Sequence, residues 1–206
     1  MIERPNNWDD VKALSDTRRK IPAGAYECIV KQAQVVTESW GTQLVILFDV
    51  DAGEFAGYYQ DDFDANQRED RKWRGTLRQW LPKNDGSDRD EWTKSQLKAM
   101  VKAFEESNRG YRWNWDERTL KGKRIGMLLR DEEWNYEGRT GFTARPFKAI
   151  SVDAVADGNF TMPKPKTLKT ENSGSSTEAT GNLNSEQFQA MDSNYFAEED
   201  NEKLPF

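Results

Sequence analysis

Histidine is absent from all 206 residues, and cysteine occurs once, at Cys28. These two shortages exclude a histidine general base, a Ser-His-Asp or Cys-His arrangement and any Cys/His zinc site, because one thiol cannot supply the ligands. A lone cysteine also forms no intrachain disulfide, so nothing argues for an oxidising compartment. Long apolar runs are missing as well. The longest uninterrupted aliphatic or aromatic stretch is the five residues 44–48, where a membrane span needs about 20. The opening MIERPNNWDD has no basic segment followed by an apolar one, so no secretory signal is expected and a cytoplasmic location is the default.

What is present divides in two. The hydrophobic set makes up 35% of the chain, about 42% with glycine, against roughly 45–50% in ordinary globular proteins. That shortfall implies a folded part joined to a polar part. Charge locates the division: residues 1–166 hold 28 cations and 28 acids, whereas 167–206 hold only Lys169 and Lys203 against eight acids. The body is neutral and the tail carries the whole net charge of −6, an asymmetry that points to an interaction tail or to a segment that competes electrostatically with an anionic ligand of the body. Residues 163–197 are rich in Ser, Thr, Asn, Gly and Glu and read as a disordered linker unable to bury enough surface to offset its ordering entropy. Four acids, Glu198, Glu199, Asp200 and Glu202, then precede the apolar tip Leu204-Pro205-Phe206. The expected organisation is therefore a domain over 1–162, a linker over 163–197 and an interaction tip over 198–206.

Within the body, Ile21-Pro-Ala-Gly24 launches a strand in which Tyr26, Cys28 and Val30 alternate with Glu27, Ile29 and Lys31. Residues 37–43 contain a glycine and read as a connection, LVILFDV as a well-buried strand, and YYQDDF as a third strand. Over 66–81, Trp73, Leu77, Trp80 and Leu81 recur at helical spacing, with Pro82 as the stop. A second helix is expected with Thr93 and Gln96 as a capping box and Leu97, Met100, Val101 and Phe104 on its apolar face. Strand character returns in LKGKRIGMLLRDEEWNY, and Glu137-Gly138 predicts a hairpin turn into RTGFTARPFKAISV. Five strands with helical material between the third and fourth is the element order of the OB-fold, a five-stranded Greek-key barrel that binds oligonucleotides and oligosaccharides.

Aromatic residues interleaved with cations favour nucleic acid among those ligands. Unpaired bases stack on aromatic faces while Lys and Arg follow the phosphates. The interleaved stretches are Arg71, Lys72, Trp73 and Arg74; Tyr111, Arg112 and Trp113; and Lys121, Lys123 and Arg124 leading to Arg130, Trp134, Tyr136, Arg139, Phe142, Arg145 and Phe147, with Trp40 and Tyr58 as further candidates. Trp73, Trp80 and Phe104 also fit core positions.

The C-terminal EEDNEKLPF resembles the tail of bacterial single-stranded-DNA-binding proteins, whose acidic tip closes in Pro-Phe. An aromatic ring beside a free carboxylate can enter an apolar pocket with a basic rim, and the acids steer it there. The body segments IPAGAYECIVKQAQVV, GTQLVILFDVDAGEFAGYYQDDFD and LKGKRIGMLLRDEEW are similar to phage-encoded single-stranded-DNA-binding proteins over roughly residues 20–150. This chain departs from them in its Trp-rich helical insertion. The resemblance implies a non-enzymatic protein, with no cofactor or metal, that coats single-stranded DNA in the host cytoplasm during replication, recombination or repair. It also implies replication and recombination proteins as partners of Glu198, Glu199, Asp200, Glu202, Leu204, Pro205 and Phe206, and allows a homo-oligomer. Two other readings stay open. Asp61, Asp62 and Asp64 could hold a metal for phosphodiester cleavage, alternation along a strand placing Asp62 and Asp64 on one face, or the acidic tail could belong to a protein-binding adaptor without a DNA groove.

Overall fold

The computed structural model describes Glu3, Arg4, Asn6, Trp8 and residues 19–168. Its centre is set by the apolar strand β2 (Gly41–Val50), in which every residue from 43 to 50 is buried. A strand with no exposed face must also have both backbone edges hydrogen-bonded, and β2 is paired on both sides. One partner is β1 (Gly24–Glu38), joined to it by the short turn at Ser39-Trp40. The connection expected over 37–43 is thus shorter, because both strands run on into it.

The second partner is β3 (Thr76–Trp80), which pairs with β2 from Leu47↔Thr76 to Gln43↔Trp80. The helix expected over 66–81 is absent. Leu77 points into the core while Arg78 is exposed, and the spacing of Trp73, Leu77 and Trp80 reflects a turn followed by a strand. Gly75 enforces the close approach: a Cβ there would strike the Phe48 carbonyl oxygen and meet the Tyr59 ring at 2.6 Å.

YYQDDF, expected as a strand, lies in a helix, α1 (Tyr58–Ala65). Its N-cap residue, Gly57, has no side chain to offer, and the buried Asp49 replaces it from β2. The Asp49 carboxylate accepts from Tyr59 N at 2.9 Å and Gln60 N at 3.3 Å, and from Val50 N at 2.9 Å. Helical spacing turns Tyr59 into the core and sets Phe63 against Trp73, with ring centroids 5.7 Å apart. The strand alternation expected for Asp61, Asp62 and Asp64 therefore does not hold.

The long helix α2 (Asp88–Ser107) lies between β3 and β4. It begins well before Thr93, because its cap is Ser87, whose side chain accepts from Asp90 N at 3.2 Å. Thr93 is buried within the helix and donates to Arg89 O, so the expected capping box is not formed. Lys94, 2.9 Å from Asp90, holds that carboxyl below the usual aspartate range. Leu97, Met100 and Phe104 face the core as their spacing predicts, and Val101 packs at its edge.

A short 3₁₀ turn (Glu117–Leu120) leads into β4 (Arg124–Tyr136), and Glu137-Gly138 reverses the chain into β5 (Arg139–Ile150). Glu137 and Gly138 have φ of 49° and 77°, the two positive values of the tight hairpin turn expected there. The last helix among the described residues, α3 (Val152–Ala156), packs on β4 and α2.

All five strands form one antiparallel sheet in the order β3-β2-β1-β4-β5. β1 changes partner along its length, meeting β4 over 24–29 and β2 over 28–38 with an irregularity at Lys31. α2 covers one face of the sheet, touching β3, β4 and β5, and brings the edge strands β3 and β5 near one another. The fold is β-rich, an open five-stranded antiparallel sheet with a helix between its third and fourth strands. No helix among the described residues is long and apolar enough to cross a membrane.

Asp49→Ala should destabilise the fold by about 1–3 kcal/mol by leaving two helix N–H groups without their acceptor. Asp49→Asn, which keeps Oδ1 as an acceptor, should cost less. Urea denaturation followed by circular dichroism measures both, and an unchanged midpoint for the alanine variant would remove Asp49 from the architecture.

Candidate nucleic-acid interface

The burial of β4 changes along its length: residues 125–129 are buried and 134–136 are exposed. β1 stops pairing at Gly24↔Leu129, so residues 130–136 and 139–145 continue past the body of the sheet as an arm. A two-stranded ribbon is marginal alone, and this one is reinforced on the edge that β1 leaves. Lys166 N donates to Asp131 O and Glu133 N to Lys166 O, both at 2.8 Å. Leu168 N adds a bond to the Glu133 carboxylate at 3.0 Å. The stretch expected to begin a linker at Pro163 is therefore hydrogen-bonded to the arm as far as Leu168.

Directly paired residues of an antiparallel ribbon project from the same face. Tyr136↔Arg139, Trp134↔Gly141, Glu132↔Thr143 and Arg130↔Arg145 are alternate rungs and share one face. Trp134 is 39% and Tyr136 68% exposed, and they stand about 7 Å apart along the strand. Gly141 lets the indole lie down: a Cβ there would come within 2.8 Å of Trp134 Cζ2. The exposed Arg139 lies across from Tyr136, and the exposed Arg145 stands on the same face below Trp134, beyond the Glu132↔Thr143 rung. Phe142, 50% exposed, projects from the opposite face beside Glu133. A face of two open rings and two cations can stack planar groups and hold anionic ones.

The other predicted residues are placed differently. At the base of the arm, Arg130 bonds Glu132 at 2.6 Å and lies over the Phe147 ring at 4.4 Å, its side chain only 11% exposed; both residues pack the arm onto the body. Trp73 is half-buried, and its Nε1 donates to Phe48 O at 3.0 Å, continuing the hydrogen bonding of β2. Tyr58 packs edge-on against Phe55 and Tyr59. Trp40 meets Trp80 edge-on at 5.1 Å and lines a cleft of about 270 Å³ with Leu81, Pro82 and Lys83. Arg71 covers the Phe63 ring at 4.5 Å, and Arg74 approaches Asp62 at 3.5 Å.

Arg124 is paired with Glu27 at 2.6 Å and Asp51 at 3.7 Å. Lys123 lies over the Tyr111 ring at 4.5 Å, and Lys121 is exposed beside it. The structure thus gathers Trp134, Tyr136, Arg139 and Arg145 on one face and leaves Lys121 and Lys123 in the loop before β4 and Arg124 at that strand's first residue. Glu198, Glu199, Asp200, Glu202, Leu204, Pro205 and Phe206 lie outside the described residues.

Trp115 is not among the residues expected at the site, yet it is 71% exposed and rests on Trp113 with centroids 4.9 Å apart. Its signal in the sequence is the Arg-Trp-Asn-Trp run, where a second ring follows at strand-like spacing. The carboxylates considered for metal binding are elsewhere engaged, Asp62 near Arg74 and Asp64 accepting from the Gln60 amide at 3.0 Å. Among the described residues no group of three His, Cys, Asp or Glu is arranged to hold a metal ion. No protein-family model matches the chain, and no curated protein is significantly similar to it.

The split between packed and open rings is measurable. Trp73→Phe should cost about 1 kcal/mol by orphaning the Phe48 carbonyl, whereas Tyr136→Ala should stay within about 0.5 kcal/mol. Equal losses for the two in chemical denaturation would contradict it.

Proposed function

We propose that the chain binds single-stranded DNA without sequence preference and that the β4–β5 arm is part of the binding surface. The observation that carries this reading is the shared face of Trp134, Tyr136, Arg139 and Arg145: two open rings on neighbouring rungs of that face, Arg139 across from Tyr136, and Arg145 two rungs below Trp134. Sequence-tolerant binding needs this mixture, because every base has a stacking face and every nucleotide a phosphate. A duplex keeps its bases stacked on one another and offers the rings nothing.

The topology supports the same reading. The strand order β3-β2-β1-β4-β5, a helix between β3 and β4, a central strand that changes partner, and edge strands drawn toward each other are features of the OB-fold Greek-key barrel. The finer assignment, an OB-fold related to the phage single-stranded-DNA-binding proteins, rests on this order and on the sequence resemblance. In the proposed mechanism the barrel and arm cover the strand and protect it during replication or recombination. The tail presents Leu204-Pro205-Phe206 to partner enzymes, and tethering raises their concentration at the covered strand.

Titration with oligo(dT) and with a duplex of equal length, followed by tryptophan fluorescence at several salt concentrations, tests the reading. Single-strand binding should quench the fluorescence, and affinity should fall with a log–log slope near −0.7 per phosphate contact. Trp134→Ala and Tyr136→Ala should each weaken it by about 1–3 kcal/mol. Absence of binding at low salt would discard the proposal.

Deleting 198–206 should leave oligo(dT) affinity unchanged or slightly tighter while replication and recombination enzymes no longer join the protein–DNA complex in a pull-down. Loss of DNA binding on that deletion would refute the division of labour between body and tail.

A further inference from the structure

The segment 108–124 joins α2 to β4 and holds six Lys or Arg against Asp116 and Glu117, a local excess of cations in a body that is neutral as a whole. It is closed at its base by one side chain. Asn108 Nδ2 donates to Arg124 O at 2.8 Å while Arg124 N donates to Asn108 Oδ1 at 3.0 Å.

The interior of the loop is tied as firmly. Tyr111 and Thr119 hydroxyls lie 2.9 Å apart, Trp113 N donates to the Glu105 carboxylate, and Trp113 Nε1 donates to Asp116 O at 3.1 Å. Trp113 thereby becomes a fixed shelf, and Trp115 rests on it with an interplanar angle of 36°. Trp115 has φ +66°, a left-handed backbone that is unfavourable for a bulky residue. Strain of that kind persists where the surroundings over-determine it and concentrates at functional positions. Here the hydrogen bonds of the loop hold the largest type of side chain outward, with 71% of its surface open. The exposed Arg109 and Lys121 lie on the same loop, with no ion pair among the described residues.

We propose that the loop closed by Asn108 and Arg124 is a second stacking platform, on which the outer face of Trp115 receives an unpaired nucleobase while Arg109 and Lys121 of the same loop hold phosphates of the strand. The platform deepens the single-strand reading and rests on it. Its ring is preorganised, so stacking orders no additional side chain.

The test uses the full-length chain with Trp115→Asn and Trp115→Phe, titrated with oligo(dT) beside wild type and Trp134→Ala. Asparagine tolerates a left-handed backbone, so the Asn variant should keep or raise the thermal midpoint while binding about 5- to 150-fold more weakly, the loss of one stacked base. Phe should restore affinity to within about threefold, since it also has a stacking face. If the Asn variant binds like wild type while Trp134→Ala is weakened, the platform is overturned and the single-strand reading stands. If wild type itself ignores oligo(dT), both fall.

Discussion

The constraint on which the structure depends is the burial of β2 from Gln43 to Val50. Eight consecutive residues without an exposed face leave two rows of backbone groups that only neighbouring strands can satisfy. β1 satisfies one row and β3 the other, so a short segment of mixed polarity, TLRQW, is drawn into the sheet. The end of β2 also fixes the elements beyond it. Asp49 sits at the close of the buried run and clamps α1, while Phe48 takes a hydrogen bond from Trp73 and gives one to Gly75. Helix α1, the turn at Gly75 and β3 are consequences of where β2 is buried.

This dependence explains which elements are legible in the sequence and which are not. β1, β2, α2 and the β4–β5 hairpin are local in their causes: an alternating pattern, an apolar run, a 3.6-residue period and a Glu-Gly turn. Residues 58–65 and 66–81 carry local patterns that exchange their states, strand for helix and helix for strand. Those states are decided by partners distant in the chain, Asp49 for the first and the open edge of β2 for the second. The four residues Trp73, Leu77, Trp80 and Leu81 fit a helical face, and nothing local reveals that a neighbouring strand requires them extended. Similarly, Ser87 displaces Thr93 as the cap because the Asp85–Asp90 turn, through bonds from Ser87 and Asn84, organises the helix start.

The candidate site is legible for the arm and less so elsewhere. Trp134, Tyr136, Arg139 and Arg145 lie close in sequence on two strands joined by a turn that Glu-Gly announces, and the register comes from that turn. Trp73, Tyr58 and Phe147 have the same composition around them yet are packed against the body, since an aromatic beside an arginine is as consistent with a packed ring under a guanidinium as with an open platform. Arg71 over Phe63 and Arg130 over Phe147 are both of the packed kind. Trp115 is the converse, a ring in a Trp-rich stretch that is turned outward by a left-handed backbone no pattern announces.

Charge shows the same limit and supplies the last step. A neutral body is a poor match for phosphates only while its ion pairs are left out of account. Arg124 with Glu27 and Asp51, Arg130 with Glu132, and Arg118 with Asp116 occupy acids beside the chain's own cations. The more exposed of these pairs, such as Arg118 with Asp116, contribute little to stability, but all of them shape the field. Neutralising some cations of the loop and arm leaves Arg109, Lys121, Arg139 and Arg145 outside the described pairs, the first two on the loop that carries Trp115 and the last two on the face that carries Trp134 and Tyr136. A polyanion responds to that local arrangement within a Debye length of about 8–10 Å, not to the net charge of the body. A neutral total is therefore compatible with local basic, aromatic surfaces, because some of the acids that enter the total, Glu27, Asp51, Asp116 and Glu132, are paired with other cations of the loop and arm.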